Sequence, residues 1–116
     1  MIYIVDDDMV MAGCIARACG GKEVRIFGNA IEVMNAISDD EMPDLMFLDV
    51  LLPGPDGFTL LNEMISYTDT AKVPVVIVTT LEMGKKDLSN YGVVGVLEKE
   101  TMKPEDVRRY VDEFAE

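Results

Sequence analysis

Near its start the chain reads Ile2-Tyr3-Ile4-Val5-Asp6-Asp7-Asp8, four apolar residues followed by three acids. A second apolar run, Leu45-Met46-Phe47-Leu48, is followed by Asp49. Short continuous apolar runs are typical of strands that are buried on both faces of a parallel sheet. In one such sheet the acids would meet at the C-terminal edge, where like charges repel unless a hard cation lies among them. This edge is therefore the best candidate for a functional site.

Strand-like and helix-like stretches alternate along the whole chain. The predicted strands are residues 2–5, 24–27, 45–48, 75–78 and 94–97, and the predicted helices are residues 10–19, 30–38, 58–67, 83–90 and 104–114. The helix at 83–90 is short and weakly amphipathic, so we expect it to be irregular. Alternation of this kind predicts one α/β domain over residues 1–116, a doubly wound sheet with helices on both faces. Ligands bind such sheets where the strand order reverses.

The composition excludes several classes of function. There is no histidine, which removes Ser-His-Asp and Cys-His catalysis. Cys14 and Cys19 would point to different faces of a helix and lack zinc-ligand spacing, so we expect reduced thiols and a cytoplasmic protein. The net charge of −12 argues against direct binding to nucleic acid or anionic membranes. No stretch approaches the roughly 18–20 apolar residues of a membrane span, and the N-terminus does not resemble a signal peptide.

The polar residues at the predicted strand ends suit phosphoryl transfer. Asp6 and Asp7 can offer oxygens to Mg²⁺, and Asp49 is either a third ligand or a nucleophile that forms an aspartyl-phosphate. Thr79 brings a hydroxyl that can donate to a phosphoryl oxygen, and Lys99 brings a flexible cation. Phosphoryl transfer requires in-line positioning and neutralisation of spreading negative charge, which these groups can supply together.

Each of these residues also has a structural explanation when it is taken alone. Asp8 is better explained as the N-cap of the first helix than as a site residue. A single lysine such as Lys99 is most often a surface charge, and Thr79 alone is uninformative. The functional interpretation depends on the conjunction of acids at two strand ends, a hydroxyl at a third and a lysine at a fourth.

With these motifs the chain resembles the receiver (phosphoacceptor) domains of two-component response regulators, over essentially its whole length. The blocks that carry the resemblance are Val5-Asp6-Asp7-Asp8, Leu48-Asp49-Val50-Leu51-Leu52-Pro53-Gly54-Pro55-Asp56-Gly57-Phe58, Pro74-Val75-Val76-Ile77-Val78-Thr79 and Gly95-Val96-Leu97-Glu98-Lys99. The resemblance implies a flavodoxin-like (βα)5 fold, a parallel five-stranded sheet in the order 2-1-3-4-5. The site would then lie at the switch between the first and third strands.

The resemblance also implies a role for each site residue. Asp49 would be the phosphorylated aspartate. The Mg²⁺ ligands would be Asp6, Asp7, Asp49 and the backbone carbonyl of Leu51, with Asp7 a more direct ligand than Asp6. Mn²⁺ or another divalent ion can substitute in such a site.

Thr79 would be the switch hydroxyl, and Lys99 would contact the phosphoryl oxygen. The implied phosphoryl donor is a phosphohistidine on a sensor histidine kinase or a histidine phosphotransfer protein, and the implied output is control of a downstream protein effector. The domain would modify itself and would not turn over a small substrate. We expect a monomer, and phosphorylation-dependent homodimerisation stays open.

Two departures from the family pattern, and two apolar residues that flank the site, produce further expectations. Glu100 follows Lys99 where the family commonly has proline, and a cis bond before a non-proline residue costs about 2.5–4 kcal/mol, so we expect a trans bond. Val96 replaces the aromatic residue of the coupled switch. Leu51 and Leu81 stand where polar side chains could orient an attacking water, which predicts slow self-dephosphorylation.

Three other functions compete with this interpretation. A Mg²⁺-dependent phosphatase would need an acid two residues after its nucleophile, where this chain has Leu51. A flavin-binding module would place a phosphate beside Asp6, Asp7 and Asp8, which would repel it. A degenerate receiver that only binds partners is disfavoured, because every side chain needed for phosphorylation is present.

Overall fold

The computed structural model describes residues 1–38, 42–52, 54, 56–80 and 91–115. Its strands are β1 (Ile2–Val5), β2 (Val24–Phe27), β3 (Leu45–Leu48), β4 (Val75–Thr79) and β5 (Val93–Glu98). Its helices are α1 (Met9–Ala18), α2 (Ala30–Ser38), α3 (Gly57–Ile65) and α4 (Pro104–Phe114), with a short 3-10 turn at Thr70–Lys72. The five predicted strands and four of the five predicted helices are confirmed to within two residues at either end, and the 3-10 turn was not predicted. The helix predicted at 83–90 lies outside the described residues.

All five strands are parallel and lie in the order β2-β1-β3-β4-β5, which confirms the predicted flavodoxin-like topology. Val5 pairs with Leu48 in the ladder between β1 and β3, so these two strands end side by side. The chain continues from β1 to β2 on one side and from β3 to β4 on the other. The acids that follow Val5 and Leu48 therefore lie at the point where the strand order reverses.

The apolar residues of the strands fill two cores, one on each face of the sheet. Alternate residues of β1 divide between them, with Tyr3 and Val5 on one face and Ile2 and Ile4 on the other. The first core is covered by α2 and α3, and the second by α1 and α4. Because the central strands are buried on both faces, their sequences are continuously apolar, as the sequence patterns indicated.

The interpretation of Asp8 as the N-cap of α1 is confirmed. Its carboxylate accepts hydrogen bonds from the backbone amides of Val10 (3.0 Å) and Met11 (3.2 Å) in the first turn of α1. Asp56 does the same for α3, because its Oδ1 accepts from the amide of Thr59 at 2.9 Å. Both caps begin a helix directly after the sheet edge that carries the acids, and they hold the chain as it leaves that edge.

None of the helices in the described part of the chain has the length and apolar character that crossing a membrane requires.

Candidate functional site

Asp6 and Asp49 lie next to each other at the C-terminal edge of the sheet. The backbone pairing of β1 and β3 continues one residue past the strands, because the Asp49 amide donates to the Val5 carbonyl at 2.9 Å. Both acids are buried, with 1% of Asp6 and 4% of Asp49 exposed, whereas Asp7 is exposed. One carboxylate oxygen from each of the three lies within 4.8 Å of the others. The sheet thus gathers the three predicted carboxylates into one cluster.

Each buried carboxylate is held by a backbone amide two residues further along the chain. Asp6 Oδ1 accepts from the amide of Asp8, and Asp49 Oδ1 accepts from the amide of Leu51, both at 2.9 Å. These contacts fix the rotation of the carboxylates. They leave the Oδ2 atom of each acid to face the centre of the cluster.

Lys99 carries the positive charge of the site. Its ammonium lies 2.9 Å from Asp6 Oδ2 and 2.9 Å from Asp49 Oδ2, and only 11% of its side chain is exposed. The position of Lys99 follows from the sheet, because its backbone amide donates to the Thr79 carbonyl at 2.9 Å directly after the β4–β5 ladder. One ammonium therefore bridges the acids that follow β1 and β3.

Burial and charge oppose each other in this cluster. Burial raises the pKa of Asp6 above its ordinary value of 3.8, although the Asp8 amide and the Lys99 charge favour the ionised carboxylate. Burial by itself would lower the pKa of Lys99, but close contact with Asp6 and Asp49 outweighs it and raises that pKa above 10.5. The ammonium is thus firmly charged at neutral pH, and the carboxylates still lack full compensation.

The donor set fits a hard divalent cation. Three carboxylates offer oxygens within 4.8 Å of one another, and oxygen is the ligand that Mg²⁺ and Mn²⁺ prefer. Asp6 Oδ2 is buried, and its contact with the Lys99 ammonium at 2.9 Å is an ion pair that lacks hydrogen-bond geometry. Because the ammonium divides its charge between Asp6 and Asp49, a divalent cation would compensate this buried oxygen further.

The remaining predicted site residues lie at the same edge. Thr79 ends β4, is completely buried, and contacts Lys99 through its backbone carbonyl. The Leu51 side chain is 49% exposed, while its backbone amide holds Asp49. The Lys99–Glu100 bond is trans as predicted, since the described residues contain no cis peptide bond. Val96 is 37% exposed on β5, and Leu81 lies outside the described residues.

Sequence reasoning missed the role of Gly57 at this edge. A Cβ atom on Gly57 would lie 2.5 Å from the Val50 Cα and 2.9 Å from the Asp49 carbonyl oxygen. The amide of Gly57 also donates to the Val50 carbonyl at 3.1 Å. The first residue of α3 therefore packs directly against the backbone that carries Asp49. The available signal was a glycine, a poor helix former, directly after a capping aspartate.

Comparison with known proteins agrees with this geometry. The family model described as "Response regulator receiver domain" matches residues 2–112. A response regulator receiver domain protein (CheY-like) from Methanospirillum hungatei JF-1 superposes with a TM-score of 0.76 at 26% identity, covering 97% of this chain and 90% of that one. The receiver domain of NtrX from Brucella abortus gives a TM-score of 0.77 at 26% identity, covering 97% and 96%.

One curated relative matches over a shorter stretch. The response regulator PleD of Caulobacter vibrioides (strain NA1000 / CB15N) is 38% identical over 47 residues, which are 40% of this chain and 10% of PleD. The chain therefore aligns with only a small part of that relative's length.

Proposed function

This chain belongs to the response regulator receiver domain family of two-component signalling, and from that premise we propose that it is a phosphorylation-dependent switch whose phosphoacceptor is Asp49. The observation that carries the proposal is the cluster of Asp6, Asp7 and Asp49, in which the Lys99 ammonium bridges Asp6 and Asp49. Such a cluster is unfavourable by itself, because three carboxylates share one cation. It becomes favourable when a metal ion and a phosphoryl group complete it.

In the proposed step, a carboxylate oxygen of Asp49 attacks the phosphorus of a phosphohistidine on a sensor kinase or phosphotransfer protein. The phosphorus–oxygen bond forms as the phosphorus–nitrogen bond breaks, and the imidazole leaves and takes up a proton. Asp49 is ready for attack, because the Leu51 amide fixes its rotation through Oδ1 at 2.9 Å. Positioning of this kind is the main contribution that a protein makes to phosphoryl transfer.

Lys99 and Thr79 would stabilise the modified carboxylate. The Lys99 ammonium already lies 2.9 Å from Asp49 Oδ2, so it can pair with an oxygen of the incoming phosphoryl group. The Thr79 hydroxyl would move towards another such oxygen and donate to it. This movement would change the relative populations of two conformations of the neighbouring loops. Val96 stands where the family has an aromatic residue, so we propose that the readout does not use a large aromatic rotation.

Asp6, Asp7, Asp49 and the Leu51 carbonyl would hold the divalent cation, for which we propose Mg²⁺. When bound, this cation supplies positive charge that offsets the negative charge spreading over the phosphoryl oxygens. Asp6 Oδ2 would be one of its partners, directly or through water, because Asp6 belongs to the cluster of carboxylate oxygens and shares its ammonium with Asp49.

Receiver domains are signalling domains, and response regulators interact with histidine kinases and downstream effectors. We propose that this chain follows that pattern as a cytoplasmic monomer whose output is protein contact. Its exposed Cys14 and buried Cys19 are both free thiols, which suits a reducing compartment. We also propose that it does not turn over small phosphomonoesters, because the exposed Leu51 cannot act as the acid–base of a phosphatase.

The test is phosphorylation by a small donor. The protein is incubated with acetyl phosphate or phosphoramidate, with and without MgCl2, and its intact mass is measured. We expect a gain of one phosphate that requires Mg²⁺ and is lost in Asp49→Ala. Asp112→Ala, which removes an exposed acid on α4, is the matched control and should keep the gain. A gain that persists in Asp49→Ala, or no gain with any donor, would refute the proposal.

A further inference from the structure

A methionine-rich groove lies between the C-terminal ends of α2 and α3. Its volume is 460 Å³, within the range of about 300–1,000 Å³ in which proteins bind compact apolar groups. Met34 and Ile37 line one side, and Met64 lines the other. Met42 and Tyr67 are the exposed apolar residues of the lining, at 36% and 64% exposure. Flexible methionines and an exposed tyrosine are typical of surfaces that bind other proteins.

One wall of the groove is held in place by Thr70. Its buried hydroxyl donates to the backbone carbonyl of Met64 in the last turn of α3, and the Tyr67 carbonyl lies 3.3 Å from the same hydroxyl. The 3-10 turn is thereby tied to the helix that precedes it. The wall that is built from the end of α3 and the 3-10 turn is consequently a formed feature of the fold.

Two acids line this apolar groove without compensation. The side chains of Glu63 and Asp69 are exposed, and neither has a hydrogen bond or ion pair with another residue in the described part of the chain. Electrostatic complementarity with this lining requires an occupant that combines apolar groups with positive charge. A second copy of this chain does not meet that requirement, because each copy has a net charge of −12.

The groove is remote from the phosphorylation site. Helices in a parallel sheet run back against their strands, so the C-terminal ends of α2 and α3 lie towards the edge opposite Asp49. The groove also lies on the α2–α3 face, whereas Lys99 leads into α4 on the other face. Occupation of the groove therefore does not require access to the acid cluster.

We infer that this groove binds a basic amphipathic helix of a partner protein. Apolar side chains at positions i, i+3, i+4 and i+7 would enter between Met34, Met64 and Tyr67, as amphipathic helices do in other grooves. Lysines or arginines beside that apolar stripe would pair with Glu63 and Asp69. The excess negative charge of the chain would speed the encounter. The inference does not depend on the proposed function, because the partner would be held in either phosphorylation state.

The test uses a fluorescently labelled helical peptide of lysine and leucine, with leucines at i, i+3, i+4 and i+7. Binding is measured by anisotropy, and the contact surface is mapped from backbone amide shifts in NMR spectra. An isomer of the same composition with scattered leucines measures general attraction to an acidic protein. We expect the patterned peptide to bind more tightly than its isomer and to shift amides at the ends of α2 and α3.

Variants then assign the binding to the groove. Glu63→Gln with Asp69→Asn should weaken binding about fivefold, since exposed ion pairs contribute modestly. Tyr67→Ala should weaken it about tenfold, as removal of an interface aromatic does. The control Glu105→Gln with Glu113→Gln removes two exposed acids from α4, on the other face, and should change the affinity less than twofold.

Three results would overturn the inference. The isomer could bind as tightly as the patterned peptide, the α4 control could weaken binding as much as the groove variant does, or the amide shifts could lie elsewhere. Asp49→Ala should keep the affinity of the unmodified protein, and a loss there would place the peptide at the phosphorylation site instead. Circular dichroism of each variant checks that the fold is intact, which the exposure of the substituted groove and α4 residues favours.

Discussion

Replacement of Lys99 by methionine should lower the free energy of unfolding of the metal-free protein and strengthen its binding of Mg²⁺. The ammonium of Lys99 lies 2.9 Å from both Asp6 and Asp49, whose side chains are 2% and 5% exposed. Removal of one partner from a buried ion pair costs about 3–5 kcal/mol, because the other charge stays buried without compensation. Asp7 at the cluster is exposed, and water can reach it. We therefore expect the lower end, a loss of about 3 kcal/mol in the free energy of unfolding.

The affinity for Mg²⁺ should rise in Lys99→Met, although the stability of the metal-free protein falls. The ammonium and a divalent ion would share the carboxylates of Asp6 and Asp49, so they repel each other. For charges roughly 4 Å apart in water this repulsion is about 2 kcal/mol for a divalent ion, or about 30-fold in affinity. Mg²⁺ at about 100 times its dissociation constant would then return about 2.7 kcal/mol to the variant. Saturating Mg²⁺ should therefore restore most of the lost stability.

The measurement is urea unfolding followed by circular dichroism, in EDTA and in saturating MgCl2, with Mg²⁺ affinity taken from a titration of the midpoint. Lys72→Met is the matched control, because it removes an exposed lysine far from the cluster. It should change neither quantity appreciably. Equal stabilisation by Mg²⁺ in the wild type and in Lys99→Met would refute the reasoning, as would weaker Mg²⁺ binding by the variant.

The ion pair also predicts a pH dependence. Contact with the two carboxylates outweighs burial and raises the pKa of Lys99 above 10.5 in the folded protein. The folded state therefore holds this proton more tightly than the unfolded state does. The stability that Lys99 contributes should be complete below pH 10.5 and should be lost as the pH rises through the folded pKa. The stability difference between wild type and Lys99→Met, measured in EDTA, should shrink over that interval and stay constant from there down to neutral pH.

Three further predictions concern other residues. Gly57→Ala should slow phosphorylation by about 100-fold, because a Cβ atom 2.5 Å from the Val50 backbone displaces the loop after Asp49 by about 1 Å. In the control Gly13→Ala the nearest atom is 3.9 Å away, and it should keep the phosphorylation rate. Iodoacetamide should modify the exposed Cys14 alone in the folded protein, since burial raises the pKa of Cys19 to about 11; two adducts on intact-mass analysis would contradict this. Leu51→Asn should speed loss of the acyl phosphate, and an unchanged decay rate would count against assigning slow dephosphorylation to Leu51.

The order of elements could be predicted from the sequence because the burial of a strand or helix shows in the pattern of its own apolar residues. β1, β3 and β4 are buried on both faces, so their residues are continuously apolar. The helix at Pro104–Phe114 shows its first turn in Pro104, Glu105 and Asp106. Even the acid cluster was predictable, since the acids that follow parallel strands must meet at one edge of the sheet. The elements depend on each residue's own surroundings, which composition and periodicity report directly, and the cluster depends on where the strands end.

The sequence predicted which residues share this edge, but the atomic contacts between distant parts of the chain were decided only by the tertiary structure. Lys99 meets Asp49, 50 residues earlier, because the sheet ends β1, β3 and β5 at the same edge. Position 57 has room only for glycine because α3 approaches the loop after Asp49 closely. The methionine-rich groove forms because α2 ends beside α3. A local pattern records that a residue is buried, but the neighbour that buries it is chosen by packing across the whole fold.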